Sequence, residues 1–246
     1  MSLGPPPSTL LTGGSLFLDF DGTLVQLAER PDAVRVEQAL LDLLSRLQLS
    51  LDGRVALLSG RAVADVRSWL HPLRFPVGGS HGFERAHADS ELGAGERPAS
   101  FDQAIALFDE VAAAHPGVLV EDKPFGVALH YRLAPSAEPA CRNAAERAAQ
   151  ATGLELQPGK MVFELKPGGS SKGLALEQFM EEQPFAGTRP IFLGDDLTDE
   201  NAFAAARRLG GAGVLVGPER PTTAGYRLRD VSAVHEWLRD ACEALS

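Results

Sequence analysis

The chain has 246 residues, 44% of them hydrophobic and 23% charged, with a formal net charge of -10 at pH 7. That profile suits a soluble globular protein of one large domain or two small ones. The acidic balance argues against a nucleic-acid partner, which demands a basic patch, but not against a small phosphate ester, which needs only a few local cations.

The N-terminal stretch 1–14 has no Lys or Arg and carries Pro5-Pro6-Pro7, unlike a secretory signal, and is expected to be a flexible arm. No apolar run approaches the roughly 20 residues of a membrane span, so no membrane partner is expected. Cys141 and Cys242 share no metal-type spacing and sit in helical patterns, which reads as reduced packing residues and a cytoplasmic location. No exposed heptad or long edge strand argues for a dimer, so a monomer is expected.

Ser15-Leu16-Phe17-Leu18 is a short apolar run entering a polar, Gly-containing turn, and reads as a buried strand. Val36, Leu40, Leu43, Leu44 and Leu47 recur at helical spacing, predicting a helix over 34–49 that Gly53 breaks off. Val55-Ala56-Leu57-Leu58 is a second buried strand, ending at Ser59-Gly60-Arg61, and Val63, Val66 and Leu70 mark the helix after it. Alternating strands and helices predict an α/β fold, a parallel sheet wrapped by helices.

The middle of the chain changes character. Phe101, Ile105, Phe108 and Ala112 predict a helix, and 118–123 with 127–133 read as strands around Pro124-Phe125-Gly126. An Ala-rich helix over 137–151 and a second hairpin, 154–157 with 161–166 turned at Pro158-Gly159, complete an α+β insert at 99–167. The first pattern then resumes with a helix from Lys172, strands at 190–193 and 214–216, and a closing helix carrying Val231, Val234, Trp237, Leu238 and Cys242. The core is therefore expected to be discontinuous, 15–98 plus 168–246.

Open parallel sheets bind ligands beyond the carboxyl ends of their strands. The first strand delivers Asp19 and Asp21 there, the second Ser59 and Arg61, and the strand at 190–193 delivers Asp195 and Asp196, with Asp199 a turn later. Lys172 starts a helix after a Gly-rich stretch. Several carboxylates at one edge call for a hard cation, and Mg²⁺ takes one or two carboxylates, waters and a substrate phosphate. Asp19, the main-chain oxygen of Asp21, and Asp195 could supply that set. Asp19 can attack phosphorus, and Asp21 can give a proton to the leaving oxygen and later take one from water. Gly22 permits a sharp turn, and Thr23 can hydrogen-bond back to brace the loop.

Each element alone has a plain alternative. Asp-x-Asp-Gly is common in turns, one of Asp195, Asp196 and Asp199 is suited to capping a helix, and a single Lys is usually a solvated surface residue. Their joint placement at strand and helix ends is what points to a site.

Asp19-Phe20-Asp21-Gly22-Thr23, Ser59, Lys172 and Gly194-Asp195-Asp196 resemble the four motifs of the haloacid-dehalogenase-like hydrolases. More narrowly, Leu58-Ser59-Gly60-Arg61, Gly79-Ser80-His81-Gly82-Phe83-Glu84, Glu121-Asp122-Lys123, His130-Tyr131-Arg132, Gly159-Lys160, Glu164, Ser171-Lys172-Gly173 and Gly194–Glu200 are similar to bacterial trehalose-6-phosphate phosphatases. The resemblance implies a Rossmann-like core with an inserted cap that sets specificity, and Mg²⁺-dependent hydrolysis of trehalose 6-phosphate. It makes Asp19 the nucleophile and Asp21 the acid/base. Phosphate is held by Asp19, Thr23, Ser59, Gly60 and Lys172, and the metal by Asp19, Asp21 and Asp195, with Asp196 and Asp199 in support. The sugar falls to Arg61, His81, Gly82, Glu121, Lys123, Arg132, Lys160 and Glu164, although His81 also suits a packed core position.

On the residues themselves, Glu121 and Lys123 share a strand face, as do Lys160, Val162 and Glu164, opposite Met161, Phe163 and Leu165. That is either a solvated sheet face or a ligand-facing one; carboxylates and Lys suit a polyhydroxylated ligand. Rival functions are a phosphatase of another sugar phosphate, a phosphomutase using the same intermediate, and a non-catalytic sugar-phosphate sensor. The sensor would be expected to lose Asp19 or Asp21, and both are present.

Overall fold

A computed structural model describes residues 3–27, 34–89 and 99–245 of the chain. Its described residues form two compact units, Met1–Leu92 with Ser171–Ser246, and Gly93–Ser170.

The first unit is built on β1 (Gly14–Leu18), β2 (Val55–Leu58), β3 (Val77–Gly79) and β4 (Glu84–Ala86), with α1 (Gln38–Ser50) and α2 (Val63–Leu70) between strands. The later segments of this unit return to the same sheet; the second unit, taken below, contributes α3, α4 and β5 to β8. The returning elements are α5 (Lys172–Met180), β9 (Arg189–Gly194), α6 (Glu200–Arg208), β10 (Ala212–Val216), β11 (Tyr226–Leu228) and α7 (Val231–Ala244). The seven strands run β11-β10-β9-β1-β2-β3-β4. All pairs are parallel except β3 with β4. From β1 the chain builds outward through β2 in one direction, then returns at β9 and builds the other way. The reversal lies between β1 and β9, whose ends are aligned by the Leu18 to Leu193 register.

Strand alternation divides the core. Leu16, Leu18, Leu57, Ile191 and Leu193 face one side, against Leu40, Leu44 and Leu47 of α1 and Val234 and Leu238 of α7. Phe17, Ala56, Leu58 and Phe192 face the other, against Leu176 and Phe179 of α5 and Phe203 and Ala206 of α6. With helices on both faces, β1 and β2 are buried at every position, which is why they read as continuous apolar runs.

The second unit is an antiparallel sheet ordered β5-β6-β8-β7, from β5 (Leu119–Lys123), β6 (Gly126–His130), β7 (Glu155–Gly159) and β8 (Val162–Lys166). Its apolar face carries Val127, Leu129, Phe163 and Leu165 and packs on α3 (Ser100–Ala114) and α4 (Glu138–Thr152) through Phe101, Phe108, Cys141 and Ala148. Cys141 and Cys242 are both buried, and neither is in a disulfide among the described residues.

Four readings of the sequence need correcting. The N-terminal stretch is docked from Leu3 onward: Leu11 is fully buried, Gly4 accepts the Arg227 amide at 2.9 Å, and Pro7 accepts Trp237 Nε1 at 3.2 Å. The first helix begins at Gln38, because Glu37 before it is extended. β6 ends at His130, and Tyr131 to Ala134 turn away. The second hairpin turns at Lys160 and Met161, the latter at φ 65°, while Pro158 lies inside β7. β7 is an edge strand, where the missing proline N–H need not break the ladder. No helix among the described residues is long and apolar enough to cross a membrane.

Candidate active site

Asp19 is the first residue past β1, and its amide still reaches Leu193 O of β9 at 2.9 Å. It therefore leaves the sheet at the reversal point. The next residues fold back on themselves: Phe20 O accepts the amides of Leu24 and Val25 at 2.9 and 3.1 Å, and Val25 O accepts Gly22 N at 2.7 Å. Thr23 is fully buried, and its hydroxyl has no hydrogen-bond partner among the described residues, so the expected side-chain brace is absent and the backbone closes the loop instead. Gly22 sits at φ 79°, and a Cβ there would overlap the Asp195 carboxylate. Only glycine lets the last acid approach the backbone of the first motif this closely.

Lys172, the first residue of α5, is buried and donates from Nζ to Asp19 Oδ1 and to Asp199 Oδ1, both at 2.6 Å. The second oxygen of Asp199 accepts Asp196 N at 2.9 Å, so Asp199 ties the lysine to the loop after β9. Asp196 in turn accepts Leu197 N at 2.7 Å and caps that turn. Carboxylate oxygens of Asp19, Asp195 and Asp199 lie within 4.8 Å of one another.

Burial pushes the Asp19 carboxyl well above its ordinary value; Lys172 pulls it back, while Asp199 and Asp195 add to the rise. Burial alone would depress the Lys172 ammonium, but Asp19 and Asp199 reverse that and hold it above its ordinary value. Three carboxylates against one ammonium leave the cluster short of positive charge. Asp199 has both oxygens engaged by protein donors, and Asp19 and Asp195 stand beside it as carboxylates that could meet a hard oxygen-seeking cation. The donor set fits a metal of that kind.

On the other side of β1, the Ser59 hydroxyl accepts Arg61 N at 3.1 Å and its carbonyl accepts His81 N at 2.9 Å. The His81 ring lies over Gly60, so close that a Cβ there would stand 2.7 Å from it. Gly82, at φ 93°, lets the chain pass against Ser171 O just ahead of Lys172. Ser171 caps α5 by accepting Leu174 N at 3.1 Å. Gly82 thus packs against the start of α5, at Ser171 and Ala175. Arg61, expected at the sugar, donates from Nε and Nη2 to the two oxygens of Asp21 at 2.7 and 2.8 Å.

In the second unit, the register puts Glu121, Ala128, Glu164 and Gln157 in one row across the sheet. Glu121, Lys123 and Glu164 therefore share the face opposite the helices. Lys123 Nζ is 2.9 Å from Glu164 Oε1, and His130 Nε2 is 2.7 Å from Glu121 Oε2. Lys160 is not on that face: it is exposed in the hairpin turn, where its carbonyl accepts Arg132 Nη2 at 3.2 Å.

The trehalose-phosphatase family model matches residues 17–232, all of the core motifs and most of the chain. The chain belongs to the trehalose-phosphatase family. It is 42% identical over 231 residues to the trehalose-6-phosphate phosphatase of Escherichia coli, covering 93% of this chain and 86% of that one. A probable trehalose-phosphate phosphatase of Sinorhizobium fredii is 41% identical over 218 residues, with 88% and 82% covered. Among solved structures, the C-terminal domain of the Candida albicans trehalose-6-phosphate phosphatase superposes with a TM-score of 0.85 at 22% identity, covering 98% of both chains. A haloacid-dehalogenase-like hydrolase of Bacillus subtilis superposes with a TM-score of 0.63 at 17% identity, over 92% of this chain and 99% of that one. These two likenesses concern the fold.

Two residues of this family member escape a sequence reading. Arg220, in the loop after β10, donates from Nη2 to Asp196 O at 2.8 Å and pairs with Glu200, which also accepts Thr223 N at 2.8 Å. The Asp196 backbone is thereby held at its N–H by Asp199 and at its carbonyl by Arg220. A backbone carbonyl leaves no mark in a sequence, so Arg220 had no signal. Trp69, on α2, had only that of a helix residue.

Proposed function

We propose that this family member hydrolyses trehalose 6-phosphate to trehalose and phosphate, with Asp19 as nucleophile and Asp21 as acid/base. The observation that carries this is Lys172, buried between Asp19 and Asp199 where the sheet reverses, with Asp195 alongside. A carboxylate oxygen of Asp19 attacks phosphorus while the bond from phosphorus to the sugar oxygen breaks and Asp21 gives that oxygen its proton. Water then attacks the aspartyl-phosphate, Asp21 takes the water's proton, and phosphate leaves with Asp19 restored. Lys172 faces the negative charge gathered during both displacements, and Ser59 with the amides of the two turns supplies donors to the phosphoryl oxygens.

Asp19, Asp195 and the Asp21 carbonyl would hold Mg²⁺, which when bound supplies charge neutralisation at the phosphoryl oxygens. The Gly93–Ser170 unit serves as the cap. Its Glu121, Lys123 and Glu164 share one sheet face and offer acceptors and a donor to sugar hydroxyls. His81, packed on Gly60, shapes the wall beside Ser59. The protein works on a soluble small molecule, as a monomer in the cytoplasm, consistent with its two reduced cysteines.

Phosphate release measured across trehalose 6-phosphate, sucrose 6-phosphate, glucose 6-phosphate and mannose 6-phosphate tests the reading. Trehalose 6-phosphate should be preferred by at least about tenfold in kcat/KM. EDTA should stop release and added Mg²⁺ should restore it. Preference for another sugar phosphate, or indifference to EDTA, would overturn it.

The cap reading has its own test. Glu121→Ala should lower kcat/KM for trehalose 6-phosphate by about 10- to 100-fold, the worth of a charge-assisted hydrogen bond. The same variant should handle p-nitrophenyl phosphate nearly as the parent does. Equal losses on both would mean that Glu121 does not read the sugar.

A further inference from the structure

We infer that Trp69 is a positioning residue for proton transfer, holding the Arg61 guanidinium so that it fixes the Asp21 carboxylate. The inference rests on the reading of Asp21 as the acid/base. Four side chains form a run of contacts that the backbone closes between Phe20 and Asp21. Arg61 grips both Asp21 oxygens, from Nε at 2.7 Å and from Nη2 at 2.8 Å. The Arg61 Cζ lies 5.2 Å from the centre of the Trp69 ring. Trp69 stacks on Phe20, with centroids 5.4 Å apart and planes within 5° of parallel. Phe20 is fully buried and directly precedes Asp21. The brace therefore starts and ends on one dipeptide.

The arrangement answers a specific need. The Asp21 backbone is held by the turn that returns to Val25, but its side chain is about a fifth exposed. A carboxylate in that setting rotates freely about its last torsion. Proton transfer requires it within hydrogen-bond reach of the leaving oxygen. A two-point guanidinium grip removes that freedom, because the planar fork fits a carboxylate in one orientation. The guanidinium itself needs a surface to lie on, and an aromatic face offers one through cation–π attraction. Trp69 supplies that face, while Phe20 anchors Trp69 to the core. Helix α2 carries Trp69, and Arg61 stands two residues ahead of that helix, in the turn that leads into it.

If Trp69 were only a packing residue, its loss would lower stability or reduce every substrate alike. A positioning role predicts a loss that depends on the leaving group, because a poor leaving oxygen needs the proton and a good one does not. The test is kcat/KM, which reports steps through phosphoryl transfer to Asp19, for trehalose 6-phosphate, phenyl phosphate and p-nitrophenyl phosphate. The aryl pair matches in size and differs in leaving ability.

Trp69→Ala should lower the trehalose 6-phosphate value by about tenfold or more, a part of what a placed general acid contributes. It should lower phenyl phosphate clearly, and p-nitrophenyl phosphate least. Trp69→Phe, which restores a face, should recover most of the loss. Should Trp69→Ala fail to fold, Arg61→Lys keeps the charge, loses the two-point grip and should show the same graded pattern. Uniform losses across the three substrates, or none, would overturn the inference. Failure of the underlying reading shows separately, as undiminished trehalose 6-phosphate turnover by Asp21→Asn.

Discussion

Asp19→Asn is expected to leave no more than about one part in 10⁴ of the parent turnover, the scale on which a catalytic nucleophile's loss is felt. An amide nitrogen or oxygen cannot form the acyl-phosphate bond, so the first displacement has no partner. The fold should survive intact. Asn has the same size, and its amide oxygen can still accept from Lys172, which keeps its second partner in Asp199. Asp19 is also a destabilised charge: burial pushes its carboxyl up, and Asp199 and Asp195 crowd it. Neutralising it relieves that crowding, so Tm should hold or rise while turnover disappears, as expected where a site stores strain for its chemistry. Phosphate release and a thermal melt on the same sample check both halves. Appreciable turnover by a folded Asp19→Asn sample would remove Asp19 as nucleophile and leave the acid cluster without its assigned chemistry.

The site's acids were legible because the rules that place them are strong. Apolar runs of strand length at 15–18, 55–58 and 190–193 mark buried parallel strands, and whatever follows them stands at the sheet's carboxyl edge. Asp19 and Asp195 follow from that alone. The short strands were not legible. Val77–Gly79 carries two glycines and Tyr226–Leu228 lies at the sheet's edge, so neither makes an apolar run. Pro158-Gly159 read as a turn because that dipeptide usually is one; an edge strand tolerated it. Arg61 and Asp21 could each be placed at the same sheet edge, but spacing does not reveal that they face one another. The roles of Trp69 and Arg220 depend wholly on such pairings, with a ring and with a carbonyl far off in sequence.

Lys172 shows how the two levels join, and Lys172→Met should be the most damaging change to stability in the core site. In the parent, the ammonium is almost wholly shielded from water and shares its protons between Asp19 and Asp199. Removing it leaves buried carboxylates without their counter-charge, a loss of about 3–5 kcal/mol for a broken buried pair. For a chain of this size that lowers Tm by roughly 10 °C. The deficit should depend on pH with a definite sign. Asp19 is held above its ordinary value, so its neutral form favours the folded state, and stability falls as pH rises through the folded-state value. Lys172 opposes that upward shift, and without it the fall starts at the same pH but extends to higher pH and goes deeper. Melts at pH 5 and pH 8 should therefore differ more for Lys172→Met than for the parent. Turnover should drop by about 10³-fold, the cost of losing a preorganised cation at the reacting phosphoryl group. A variant that melts like the parent at both pH values would show that Lys172 does not neutralise the cluster, and the electrostatic account of the site would fall with it.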